Sequence, residues 1–227
     1  MRLVNSFLKK QYTKDGFRRV PTNVRSLTGE VDGQQFESSL ERDLLLLTHW
    51  NYEVDWHQSQ PVEIEYESDK GEPRIYTPDL LIQYRDMGKE AATRKPVLCE
   101  VKYREDLAKD WIILKPKFKA AIHYAKEREW RFKIYTEKEI RTPYLENVQF
   151  LWSYRFATFH EHHYKKLKSL LLEHEEITPR SLLEKAYDTK VSQGEALWTL
   201  WCMVARRWVK CDLTMSLSMK SILWMDE

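Results

Sequence analysis

Residues 96–105 read PVLCEVKYRE, and the fold turns on how this stretch is understood. Val97, Leu98 and Cys99 make a short apolar run of the kind found at the centre of a sheet. Glu100-Val101-Lys102 follows at once. Alternation puts Glu100 and Lys102 on one side of the extended chain and turns Val101 to the opposite, buried side. An acid and a base two residues apart at the end of a hydrophobic strand fit the edge of a reactive site. They also fit a plain exposed ion pair on an edge strand.

Upstream, RIYTPDLLIQYR (74–85) reads as a strand with Asp79 just before its apolar part, and VDWHQSQPVEIEYES (54–68) alternates as another. The polar turn SDKGEP between them predicts a hairpin. QFESSLERDLLLLTHWNYEV (35–54) predicts a helix capped by Ser38 or Ser39, with Leu40, Leu44, Leu45 and Leu47 as its apolar stripe. Downstream of the polar loop DMGKEAATRK (86–95) and the PVLCEVKYR strand, residues 106–129 predict a helix interrupted by Pro116. RFKIYTEKEI (131–140) reads as a fourth strand and VQFLWSY (148–154) as a fifth short apolar segment. Helix, hairpin, strand, helix, strand is a mixed α/β core.

The pattern changes near residue 159. FHEHHYKKLKSLLLEH, ITPRSLLEKAYD and SQGEALWTLWCMVARRW read as three helices, and VKCDLTMSLSMKSILWMD alternates like a β-hairpin. That order suits a small winged-helix-like α+β domain. The division expected is a basic arm over 1–28, a main α/β domain over 29–158 and a small domain over 159–227.

Composition narrows the function classes. The 227 residues are 42% hydrophobic and 32% charged, with formal net charge +2, enough for a large domain or a medium one with a small companion. The basic surplus is concentrated in residues 1–28, where seven Lys/Arg face the single acid Asp15. An arm that includes KKQYTKDGFRRV, with aromatics between its bases and with Arg18, Arg19 and Arg25 among them, suits phosphate neutralisation, or is a solvated leader. Lys115, Lys117 and Lys119 of KPKFK offer a second backbone contact to DNA, or a solvated helical face. Cys99, Cys202 and Cys211 sit among apolar neighbours without CxxC spacing and suit buried thiols in a reducing compartment. No apolar run is long enough to span a membrane, and the start lacks a signal-peptide core, so a cytoplasmic protein with no membrane partner is expected. Six glycines assemble no phosphate-binding loop. His160, His162 and His163 lack the companion cluster a metal centre needs. Trp198, Trp201 and Trp208 suit the core of the small domain, while Arg206 and Arg207 suit either phosphate or a helix C-terminus.

Asp79, Glu100 and Lys102 together spell PD…ExK. Magnesium prefers carboxylate oxygens and keeps several waters, so acids on neighbouring strands are able to hold it over a phosphate. A lysine beside them orients or helps deprotonate the attacking water and stabilises charge on the phosphoryl oxygens. Glu41, on the upstream helix, is the natural third acid. It also stands three residues after Ser38, the spacing of a capping box, and Asp79 after Pro78 also suits a turn.

The segments FESSLERDLLLL, QSQPVEIEY, YTPDLLI, LCEVKYREDL and RFKIYTEKEI, in that order, resemble the nuclease domain of the TnsA family, over residues 20–155. TnsA proteins are endonuclease subunits of heteromeric cut-and-paste transposases with the restriction-endonuclease-like PD-(D/E)XK fold. The resemblance implies Glu41 and Asp79 as catalytic acids and Lys102 as the catalytic lysine. The position two before the lysine need not be acidic in the family; here it is Glu100, closer to the wider superfamily pattern. Further implied are magnesium (manganese substituting) held by Glu41, Asp79 and Glu100, and hydrolysis of the non-transferred strand at the 5′ ends of the transposon. The implied partners are double-stranded DNA at those ends, an integrase-type transposase (TnsB) and an AAA+ ATPase (TnsC). The rival readings are a stand-alone restriction or repair nuclease and an assembly subunit whose nuclease core is vestigial.

Overall fold

The computed structural model describes residues 29–31, 34–86 and 94–226, which fall into two compact units, one ending at Ile140 and the other beginning at Arg141. The first contains β1 (Gly29–Val31) and β2 (Gln34–Phe36), an antiparallel pair, followed by helix α1 (Ser39–Trp50). Ser38 caps α1 by accepting the Glu41 amide, and the helix buries Leu40, Leu44, Leu45 and Trp50, the stripe its spacing predicts.

Strands β3 (Val54–Ser59), β4 (Ile64–Glu67), β5 (Pro73–Tyr76) and β6 (Leu80–Tyr84) come next. The predicted hairpin is present but broken on both arms at one level. β4 pairs with β5, from Ile64 opposite Tyr76 to Glu67 opposite Pro73, and β3 pairs with β6. Pro61 and Pro78 stand at the break because neither has an amide to donate to a ladder. Gln60 bridges it with a left-handed φ of 48° and an amide that donates to the Asp79 carbonyl at 2.9 Å.

The central sheet runs β3-β6-β7-β8, with β7 spanning Val97–Val101 and β8 Arg131–Tyr135. β6–β7 is antiparallel and β7–β8 parallel, so the sheet is mixed. The parallel step needs a crossover, which is helix α2 (Arg104–Glu127). Pro116 does not end α2, although it removes one amide from the helical ladder. Ala121 and Ala125 of α2 pack on Leu98 and Leu81 of the sheet together with Val62, Ile64, Tyr76 and Trp130. The short helix α3 (Glu137–Ile140) closes this unit.

The second unit holds α4 (Pro143–Trp152), a 3-10 turn at Ser153–Arg155, α5 (Glu161–Leu172), α6 (Pro179–Ala186) and α7 (Lys190–Ala205). Two residue pairs join β9 (Lys210–Cys211) to β10 (Leu223–Trp224). The segment VQFLWSY therefore belongs to a helix and its following turn. α4 packs on α7, which is why the boundary falls at Ile140–Arg141 and not after residue 158. The three later helices and a terminal ribbon follow the predicted order, but each ribbon strand has only two residues. The long loop between them is clamped by Asn147: its Nδ2 donates to the carbonyls of Leu213 and Met215 at 2.8 and 2.7 Å, and its Oδ1 accepts the Leu217 amide at 2.9 Å.

The tryptophans divide differently from expectation. Trp201 is buried, whereas Trp198 and Trp208 are 45% and 41% exposed. Their rings are held at the surface by polar and aromatic partners: Trp198 donates to the Thr158 carbonyl, and Trp208 packs on Phe159 and Tyr164. Arg206 donates to the carbonyls of Arg155 and Ala157. All three cysteines are free, with Cys99 and Cys202 buried and Cys211 half-buried.

Candidate active site

The register of the central sheet brings PD and ExK together. Leu80 lies opposite Cys99, and the Asp79 amide donates to the Cys99 carbonyl at 3.0 Å. Asp79 is thereby set beside the next residues of β7, and its Oδ2 accepts the Val101 amide at 2.6 Å. This bond crosses between the two motifs and fixes the carboxylate at the end of the sheet. Burial and the negative charges of Glu100 and Glu41 push the Asp79 carboxyl well above its usual pKa, outweighing Lys102 and the Val101 amide.

Glu100 is only 1% exposed, and its position follows from helical and strand pitch. Leu98 packs on the Ala121–Ala125 stripe of α2. Two residues further along β7 advance the chain by about 6.6 Å, and one turn back along α2 covers about 5.4 Å, so Glu100 meets the residue four before Ala121. That residue is Lys117, whose Nζ donates to Glu100 Oε1 at 2.9 Å. Tyr76, at the end of β5, donates its hydroxyl to Glu100 Oε2 at 2.6 Å. Lys117 also lies 4.6 Å from the centre of the Tyr76 ring. Burial and the adjacent Glu100 raise the Tyr76 pKa far beyond the working range, so the phenol remains a donor.

Glu41 performs the capping task its spacing allows. Its Oε2 accepts the Glu37 amide and its Oε1 the Ser38 hydroxyl, each at 2.8 Å. It nevertheless lies close enough to raise the Asp79 pKa, and its own pKa is raised by burial against the lowering effect of these hydrogen bonds. Lys102 follows β7, with Nζ 4.0 Å from Glu100 Oε1. Burial works to lower its pKa, but Glu100, Asp79 and Glu41 together raise it, so its amine stays charged at neutral pH. A charged Lys102 stabilises anions and orients water; it does not take a proton.

The structure thus places the four predicted residues in one electrostatic neighbourhood and adds two that sequence reasoning does not assign to it, Tyr76 and Lys117. Lys117, expected at the DNA backbone, has a side chain 17% exposed and paired with Glu100. Lys115 and Lys119 are exposed, and Arg18, Arg19 and Arg25 lie outside the described residues. Among the described residues no three His, Cys, Asp or Glu side chains gather closely enough to form a metal-binding group. The donor set still suits a hard divalent cation: Asp79 is half-buried beside two like charges that disfavour its ionisation, and magnesium keeps much of its shell as water. In the second unit His163 is buried with Nδ1 2.6 Å from the Tyr187 hydroxyl. No helix among the described residues is long and apolar enough to cross a membrane.

The family model for the TnsA-like endonuclease N-terminal domain matches residues 51–137, and that for the TnsA endonuclease C-terminal domain matches 139–213. The chain belongs to the TnsA family. No curated protein matches it. The TnsA models end and begin at residues 137 and 139, close to the Ile140–Arg141 boundary of the two compact units, and the N-terminal one contains Asp79, Glu100, Lys102 and Lys117. Membership of TnsA makes the chain a nuclease of the Tn7-like transposition type.

Proposed function

We propose that the chain is the metal-dependent DNA endonuclease subunit of a cut-and-paste transposase, hydrolysing the non-transferred strand at the 5′ ends of the element. The observation that carries this reading is the Asp79 Oδ2–Val101 amide bond, which joins the PD and ExK motifs into one site beside Lys102. Asp79 would hold the cation, with Glu41 and Glu100 as the further carboxylates of the site. Magnesium, when bound, supplies Lewis acidity to the phosphoryl group and lowers the pKa of a coordinated water.

The chain's own residues supply the rest. The Val101 amide holds Asp79 in place, and the Ser38–Glu41 box fixes Glu41 at the first turn of α1. Lys102 presents a permanent positive charge to the oxygens on which negative charge develops. Attack by water displaces the 3′ oxygen and leaves a 5′ phosphate. The family further supports association with an integrase-type transposase, TnsB, which cuts and joins the 3′ ends, and with the AAA+ ATPase TnsC. The Arg141–Glu227 unit is assigned to those contacts, with its winged-helix-like order and the exposed Phe156 and Met215 as support.

Reconstitution with the partner transposase, the ATPase, transposon-end DNA and magnesium tests the assignment. Asp79→Ala and Lys102→Ala should each abolish 5′-strand cutting while leaving assembly on DNA intact. Cutting at the wild-type rate by either variant would refute the active site. Cutting by the purified chain alone would instead identify a stand-alone nuclease.

A further inference from the structure

Glu100 belongs to the ExK motif, yet both of its carboxylate oxygens are engaged inside the protein. Oε2 receives the Tyr76 hydroxyl and Oε1 the Lys117 ammonium. Lys117 is not a surface lysine that happens to swing inward. Its stem rises from the stripe of α2 that packs on the sheet, and its Nζ lies 4.6 and 5.2 Å from the Tyr76 and Phe118 ring centres. Ring faces and a carboxylate both attract an ammonium group there. The whole neighbourhood sets three carboxylates, Glu41, Asp79 and Glu100, against two ammonium groups, Lys102 and Lys117, leaving one formal negative charge in excess.

We propose that Lys117 is a built-in cation of this site. It holds at Glu100 the charge that a further divalent ion would otherwise carry, confines divalent-cation binding to the Asp79 side, and makes Glu100 a positioning group. The proposal rests on the reading of the site as a metal-dependent nuclease. Its physical basis is competition: a divalent ion reaching Glu100 must displace a 2.9 Å ion pair that is nearly closed to water. With Lys117 in place, the local charge favours one divalent ion. Without it the excess doubles and Glu100 regains a free oxygen.

Manganese binding to the full chain, followed by loss of the free-ion paramagnetic resonance signal, reads this directly and independently of cleavage. Wild type should bind one ion, lost in Asp79→Ala. Lys117→Met keeps the aliphatic stem and should bind a second ion or bind about tenfold more tightly. Lys117→Arg should behave as wild type. In Lys117→Met/Glu100→Gln both charges of the pair are gone, and one Asp79-dependent ion should remain. In thermal melts Lys117→Met should be destabilised without metal and should recover on adding manganese more than wild type gains. Unchanged number and affinity in Lys117→Met would overturn the proposal while leaving the nuclease reading intact, and so would loss of binding in the double variant, which would show Glu100 to be a ligand. No Asp79-dependent binding in any chain would overturn both.

Discussion

Replacing Tyr76 by Phe removes one hydroxyl and little else. The ring would keep its edge contact with Phe118, 6.5 Å between centres, and its place 4.6 Å from the Lys117 ammonium. What is lost is the 2.6 Å donation to Glu100, whose side chain is 2% exposed. A hydrogen bond to a buried charged group is worth about 1.5–3 kcal/mol, so Tyr76→Phe should cost about 2 kcal/mol. In a chain of this size that lowers the melting temperature by roughly 4–8 °C. Circular dichroism melts and urea titrations measure it, and the cycle with Glu100→Gln isolates the pair. In the Glu100→Gln background, where the partner is neutral, the same substitution should cost only about 1 kcal/mol. A loss below about 0.5 kcal/mol, or one of equal size in both backgrounds, would refute the claim that Tyr76 stabilises the Glu100 charge.

Three further outcomes follow from the same geometry. Ser38→Ala breaks the capping box and should cost about 1 kcal/mol with the cleavage chemistry retained, whereas Glu41→Gln keeps an acceptor for the cap and should weaken magnesium-dependent cleavage about 10–100-fold; melts and reconstituted cutting separate the two roles. Burial, with Glu100 and Glu41 acting on Asp79 and Glu37 acting on Glu41, raises both carboxyl pKa values in the folded chain, so these two groups contribute stability in the metal-free protein that is full at low pH and is lost as pH rises through the raised values. Melts between about pH 5 and 8 in chelator should show that slope, and Asp79→Asn or saturating magnesium should flatten it. Asn147→Ala removes three hydrogen bonds from the loop between β9 and β10 and should cost about 2–4 kcal/mol, with faster hydrogen exchange at the Leu217 amide.

Much of the catalytic unit was legible because its signals are local. The leucine stripe of α1, the apolar run of β7 and the PD and ExK motifs each declare themselves within a few residues, and one sheet register joins them. The double duty of Glu41 was visible as two competing readings; the structure shows the capping box, and the catalytic role belongs to the proposed function. Lys117 was illegible as a site residue because KPKFK reads as one basic cluster. Only the pitch relation between β7 and α2 separates the inward Lys117 from the exposed Lys115 and Lys119. The break of the long hairpin was signalled by Pro61 and Pro78, but that both fall at one level needs the pairing. Trp198 and Trp208 misled because helical spacing alone does not tell a core tryptophan from one whose edge is held at the surface.

The broken hairpin has a practical consequence. Its root is anchored by Ile64 and Tyr76 in the core under α2, while its tip, Ser68 to Glu72, is solvent-exposed or nearly so and turns at Gly71 with φ 76°. The tip's own amide bonds close on Ser68 and Glu72 and do not reach the β6–β7 pairing that aligns Asp79. A fluorophore, an affinity handle or a short inserted epitope placed between Lys70 and Gly71 would therefore ride on a lever whose fulcrum adjoins the proposed active site, reporting on the approach of a ligand without touching Asp79, Glu100 or Lys102.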